Sequence, residues 1–132
     1  MPSDNAELVR GAYEAFGRGD VPAVMALLAE DVDWNAPDVL PHGAQGRGHE
    51  VVGGFFQTLA ETWEGFDLEL EDFVASGDRV CAIGRASGRL DGVQAGYGFV
   101  HCWTVRDGKL AALNEYVDPD AEVVARARSA AS

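Results

Sequence analysis

The sequence predicts an α+β fold, with helices gathered early and an antiparallel meander late. Three observations lead there. Apolar residues recur at helical spacing in stretches before residue 65. After it the period falls to two, as Phe66, Leu68 and Leu70 alternate with acids in "FDLELEDFVA". From that point, runs rich in β-branched and aromatic residues are separated by the turn signals "SGDRV", "DGVQAG" and "RDG".

The elements follow in order. "SDNAELVRGAYEAFGRGD" reads as an amphipathic helix capped by Asp4 or Asn5, with Glu7 in its first turn. Leu8, Val9, Ala12, Tyr13 and Phe16 form its apolar stripe, and Gly17 and Gly19 end it. Asp20 caps a second, short helix that tolerates Pro22 in its first turn and turns Met25, Leu27 and Leu28 inward. "EDVDWNAP" is a strand closed by Pro37, and "DVLPHGAQGRG" is a loop by composition. "HEVVGGFFQTLAETW" is a third helix with Val52, Phe55, Phe56, Leu59 and Trp63 on its apolar face. Gly53 and Gly54 weaken it, and close packing against a sheet would account for them. Four strands follow: "FDLELEDFVA", "VCAIGRASGRL", "YGFVHCWTV" and "KLAALNEYV". The tail "DPDAEVVARARSAAS" is expected to hold one short helix.

A chain of 132 residues suits one domain, 1–132, able to bury a core without metal or disulfide. The formal net charge of −12 repels phosphate backbones and anionic lipid, so neither nucleic acid nor membrane is an expected partner. Cys81 and Cys102 lack zinc-ligand spacing and are expected as reduced, buried thiols. "MPSDNAELVR" has no apolar signal core, and a cytoplasmic protein is expected. "GRG" at 46–48 is not followed by Lys-Ser/Thr and is no phosphate loop.

In "GYGFVHCWTV" Tyr97, Phe99, His101 and Trp103 share one strand face, so a single imidazole sits in an aromatic row. The next hairpin decides what faces it. A three-residue "RDG" loop pairs Val105 with Lys109, sets His101 opposite Leu113 and leaves Glu115 as its diagonal neighbour on the same face. A two-residue "DG" loop puts Asn114 opposite His101 and exchanges the faces.

Together "AYEAFGRGDVPAVMALLAEDVDW", "GRGHEVVGGFF", "GDRVCAIGRASG", "FVHCWTVRDGKL" and "NEYVD" resemble the SnoaL-like polyketide cyclases of the nuclear transport factor 2-like, ketosteroid isomerase-like superfamily. The resemblance covers roughly residues 5–118, leaving 119–132 as a tail. It implies a cone-shaped α+β barrel, three helices on a curved, mostly antiparallel sheet around one apolar pocket, and a homodimer through the outer sheet face. It also favours the register that turns Glu115 inward, because these cyclases carry an acid there and a histidine at the position of His101.

The chemistry implied is proton abstraction beside a carbonyl. A carboxylate in an apolar pocket is poorly solvated and a stronger base. Glu115 would be the general base, and His101 would donate to the enolate or share the proton. No cofactor is expected where the C–H lies between two carbonyls. Trp34, Tyr13, Phe16, Phe56, Trp63, Tyr97, Phe99 and Trp103 are the expected walls for a hydrophobic small-molecule ligand, with Trp34 first because it shares strand parity with Ala36. Asp33, Asn35 and Tyr116 should face away, and His42 reads as an exposed loop histidine near the mouth. The residues depart from two relatives. Ala36 and Ala12 stand where ketosteroid isomerase has its base and its oxyanion tyrosine, and His101 where it has its second oxyanion acid. Arg85 is the candidate inward arginine of an epoxide hydrolase, without its "RxD" pair. The leading expectation is an aldol-type cyclase or isomerase. The alternatives are a non-catalytic binder of the same fold and a dimeric interaction module, since this fold hosts many activities.

Overall fold

The computed structural model describes residues 2–118, so the short helix expected in the tail lies outside the described residues. The element order is α1 (Pro2–Gly17), α2 (Val21–Leu27), β1 (Leu28–Ala36), β2 (Ala44–Arg47), α3 (His49–Thr62), β3 (Trp63–Ser76), β4 (Arg79–Leu90), β5 (Val93–Arg106) and β6 (Lys109–Val117). The strands form one curled sheet in the order β2-β1-β6-β5-β4-β3. Only β1 and β6 run parallel; the other neighbours are antiparallel. This is an α+β, cone-like arrangement with three helices against the curled sheet. No described helix is long and apolar enough to cross a membrane.

The α1 stripe buries Val9, Ala12 and Ala15. The helix begins earlier than expected, so Asp4 and Asn5 lie inside it and neither is its cap. Asn5 instead donates its side-chain amide to the Gly77 carbonyl at 2.8 Å, tying α1 to the β3–β4 turn. Asp20 caps α2 as expected, accepting from the Ala23 amide at 3.1 Å. Leu28 belongs to β1 rather than α2, and Val24 is the buried residue of that short helix.

The loop expected after Pro37 contains β2, which pairs with Asp33–Ala36 along the free edge of β1. That pairing is made by backbone groups, so four exposed or half-buried residues give it no side-chain signature. The turn expected over "DGVQAG" is only Asp91–Gly92, both at positive φ (53° and 78°), and β5 begins at Val93.

The β5–β6 hairpin settles the register in a way neither alternative anticipated. Asp107 and Gly108, at φ 52° and 73°, form a two-residue turn that pairs Arg106 with Lys109. The register then shifts between Thr104 and Val105, where Ala111 is the extra residue on β6. This bulge restores the parity that the short turn had reversed. Leu110 and Ala111 are consecutively buried, alternation resumes, and His101 lies directly opposite Glu115.

Gly53 and Gly54 are not explained by close packing. A Cβ built on either meets nothing within 4 Å. Gly53→Ala and Gly54→Ala are therefore each expected to raise the unfolding free energy by about 1 kcal/mol, measured by urea denaturation.

Candidate functional site

A cavity of about 60 Å³ lies between the helices and the inner sheet face. Of the side chains expected to line it, Tyr13, Phe16, Trp34, Phe56, Tyr97, His101, Trp103 and Glu115 do so. Trp63 and Phe99 do not. Phe99 stacks on the His101 imidazole, ring centroids 4.0 Å apart. Trp63 packs edge-on to Phe66, lies against Tyr97 and donates to His42, three residues that do line the cavity. Phe55, Leu59, Phe66, Leu68 and Leu113 also line the space. Leu113 is where the inward register of Glu115 puts it, whereas the period of the other four marks only a helix's apolar side or a strand face, and period alone does not separate core from cavity wall.

At one end the polar groups form a chain. Trp103 Nε1–H donates to Tyr13 Oη at 3.0 Å. Tyr13 Oη lies 2.5 Å from His101 Nδ1, and His101 Nε2 lies 3.0 Å from Glu115 Oε2. His101 and Glu115 are 8% and 6% exposed. Burial pushes the Tyr13 phenol well above its ordinary range, so it holds its proton and can donate. With Glu115 ionised, the donors align in one direction: the Tyr13 hydroxyl to Nδ1, then Nε2–H to the carboxylate. Among the described residues no other hydrogen bond reaches that carboxylate, which leaves its second oxygen for a proton from elsewhere.

His42 overturns its reading as an exposed loop residue, being 1% exposed. The segment after β1 makes two successive turns, Leu40 N–H to Pro37 C=O at 3.0 Å and Gly43 N–H to Leu40 C=O at 3.1 Å, which tuck Leu40 and His42 inward. Trp63 Nε1–H donates to His42 Nδ1 at 3.1 Å, and His42 Nε2 lies 3.2 Å from Tyr97 Oη. Burial lowers the His42 pKa to about 4, against a smaller opposing pull from Glu115. The apolar run Val39-Leu40-Pro41 ahead of it was the available signal, since an exposed loop has little use for three such residues.

Gly43 makes that tuck possible. A Cβ there would lie 2.1 Å from the Pro37 carbonyl oxygen. Gly43→Ala is expected to force the loop open, costing about 1–3 kcal/mol and detaching His42 from Trp63. A thermal melt and the tryptophan emission wavelength check both effects. Gly88 plays a similar part in β4, where a Cβ would meet the Trp63 ring at 2.9 Å.

Other expectations fall elsewhere. Trp34 and Ala36 are buried on one face of β1 while Asp33 and Asn35 are exposed on the other, and Tyr116 is exposed. The Trp34 indole N–H is buried with no hydrogen-bond partner among the described residues. Arg85 is exposed rather than inward. Cys81 and Cys102 are half-buried rather than buried, because they occupy the outward parity of β4 and β5. Their sulfurs are 3.1 Å apart, and burial with the neighbouring Cys81 thiol pushes Cys102 up to about 11. Among the described residues no group of three or more His, Cys, Asp or Glu is placed to hold a metal.

A family model described as a SnoaL-like domain matches residues 9–113. No curated protein matches. Solved structures do. An NTF2-like protein of unknown function from Burkholderia pseudomallei is 30% identical over 95% of each chain, with a TM-score of 0.83. TerC, co-crystallised with polyporic acid, is 29% identical over 87% of this chain and 92% of its own, with a TM-score of 0.78. A candidate polyketide cyclase from Xanthomonas campestris is 26% identical over 96% of this chain and 98% of its own, with a TM-score of 0.75.

Proposed function

Because the chain belongs to the SnoaL-like domain family, we propose that its cavity binds a flat, hydrophobic, carbonyl-bearing small molecule and that Glu115 removes a proton beside the carbonyl. The observation that carries this reading is the chain Trp103–Tyr13–His101–Glu115, which ends on a buried carboxylate in an otherwise largely apolar wall. Such a chain fixes the carboxylate's orientation in the cavity wall.

The step begins with the C–H proton moving to the free oxygen of Glu115, leaving an enolate. His101, hydrogen-bonded to the same carboxylate, is placed to share the proton and return it to carbon or to an aldol oxygen. Positioned acid–base help of this kind is worth about 10²–10⁴ in rate. Aldol-type cyclisation and isomerisation both begin this way, and the ligand's own carbon skeleton decides between them. TerC with polyporic acid and the candidate polyketide cyclase support this ligand class, since each implies a flat or polyketone-derived molecule.

Trp34 and Trp103 line the cavity, so a bound quinone should quench tryptophan emission. Titration with polyporic acid is expected to give saturable quenching at one equivalent per chain. Absence of saturable quenching by polyporic acid and by fused-ring ketones would overturn the reading. Saturable binding with no acceleration of proton exchange would instead make the protein a carrier.

A further inference from the structure

The two buried histidines belong to hydrogen-bond chains of opposite polarity. An indole N–H can only donate, so Trp63 obliges His42 Nδ1 to accept. A neutral imidazole then carries its proton on Nε2, and that N–H faces Tyr97 Oη. Tyr97 Oη accepts, and the hydroxyl's own hydrogen is left over. His42 is the only hydrogen-bond partner of that hydroxyl among the described residues. Tyr97 is 2% exposed and both it and His42 line the cavity. The Trp103 chain therefore ends on an acceptor, Glu115, while the Trp63 chain ends on an unused donor.

The two ends are apart. Tyr97 and His101 stand four residues apart on β5, which places their Cα atoms about 13 Å from one another on an extended strand. Glu115 is opposite His101. The Trp34 indole N–H is a second buried donor of the same wall with no partner among the described residues. A buried donor left unpaired costs free energy until something accepts from it.

We propose that Tyr97 forms a second, donor-type binding subsite, positioned by His42 and Trp63, that takes an acceptor oxygen of the ligand remote from the carbonyl reacting at Glu115. This rests on the reading that the cavity holds a carbonyl-bearing molecule. It narrows the ligand class to flat molecules of two or more rings that carry a carbonyl, quinone or ether oxygen at the far end. Burial pushes the Tyr97 phenol up, so the donor persists across the neutral range. His42 acts through Tyr97 and is a positioning residue.

The test compares 2-tetralone with 6-methoxy-2-tetralone, whose added oxygen only accepts, by fluorescence titration of wild type and Tyr97→Phe. Wild type is expected to bind the methoxy ketone about three- to tenfold more tightly, and Tyr97→Phe to erase that preference while keeping its affinity for 2-tetralone. Equal binding of both ketones by wild type, or an undiminished preference in Tyr97→Phe, would overturn the subsite and leave the Glu115 reading standing. Failure of wild type to bind either ketone would overturn both. A second measurement needs no variant: ¹⁵N NMR of histidine-labelled wild type is expected to find His42 protonated on Nε2 and bare on Nδ1. The reverse tautomer would overturn the proposal even if Tyr97→Phe failed to fold.

Discussion

Glu115→Gln is expected to lower the rate of proton abstraction by about 10²–10⁴-fold while changing ligand affinity only a few-fold. Glutamine has the shape of glutamate, and its amide oxygen can still accept from His101 Nε2–H, whose 3.0 Å contact holds the pair together. What is lost is the basic oxygen. A residue that merely filled the wall would affect affinity and rate together, and a carrier would have no rate to lose. Ligand titration and turnover of the same preparation separate these cases, with a thermal melt to establish that the variant is folded.

The second large effect concerns stability against pH. His42 is neutral in the folded chain, with a pKa lowered to about 4 by burial, whereas in the unfolded chain it titrates near the ordinary value of about 6.5. Above pH 6.5 both states hold it neutral and the full stability is present. Between about 6.5 and 4 the unfolded state binds a proton that the folded state refuses. Stability therefore falls as pH falls through that window, at up to about 1.4 kcal/mol per pH unit, for a total of about 3 kcal/mol. Protonation would also set two donors, His42 Nδ1–H and Trp63 Nε1–H, against each other. His42→Gln cannot titrate, so the difference between its urea midpoints and those of wild type from pH 7 to 4.5 isolates the histidine's share. Parallel curves would contradict this.

How much of this was legible in the sequence differs from element to element. The alternation of Tyr97, Phe99, His101 and Trp103 specified an inward row, and the inner face of β5 carries it. Strand parity also placed Trp34 and Tyr116 on their observed faces. The partner of His101 was not legible from the hairpin alone. The Asp107–Gly108 turn and the Ala111 bulge each shift the pairing by one residue, and a bulge leaves no period to read. Resemblance, not periodicity, pointed to Glu115. The edge strand β2 escaped because backbone groups alone hold it, and the burial of His42 escaped because it depends on how the Pro37–Gly43 turns close against α3 and β3. Trp63 and Phe99 are inward residues of the same kind, yet neither lines the cavity: Trp63 packs against His42, Phe66 and Tyr97, and Phe99 against His101.

The most direct test of the claim that Glu115 is a base in this cavity is the exchange of the α-hydrogens of 2-tetralone in D₂O, followed by proton NMR. That reading predicts saturable acceleration over buffer by wild type and its loss in folded Glu115→Gln that still binds the ketone. Binding of the ketone by wild type without acceleration, or equal acceleration by Glu115→Gln, would contradict it.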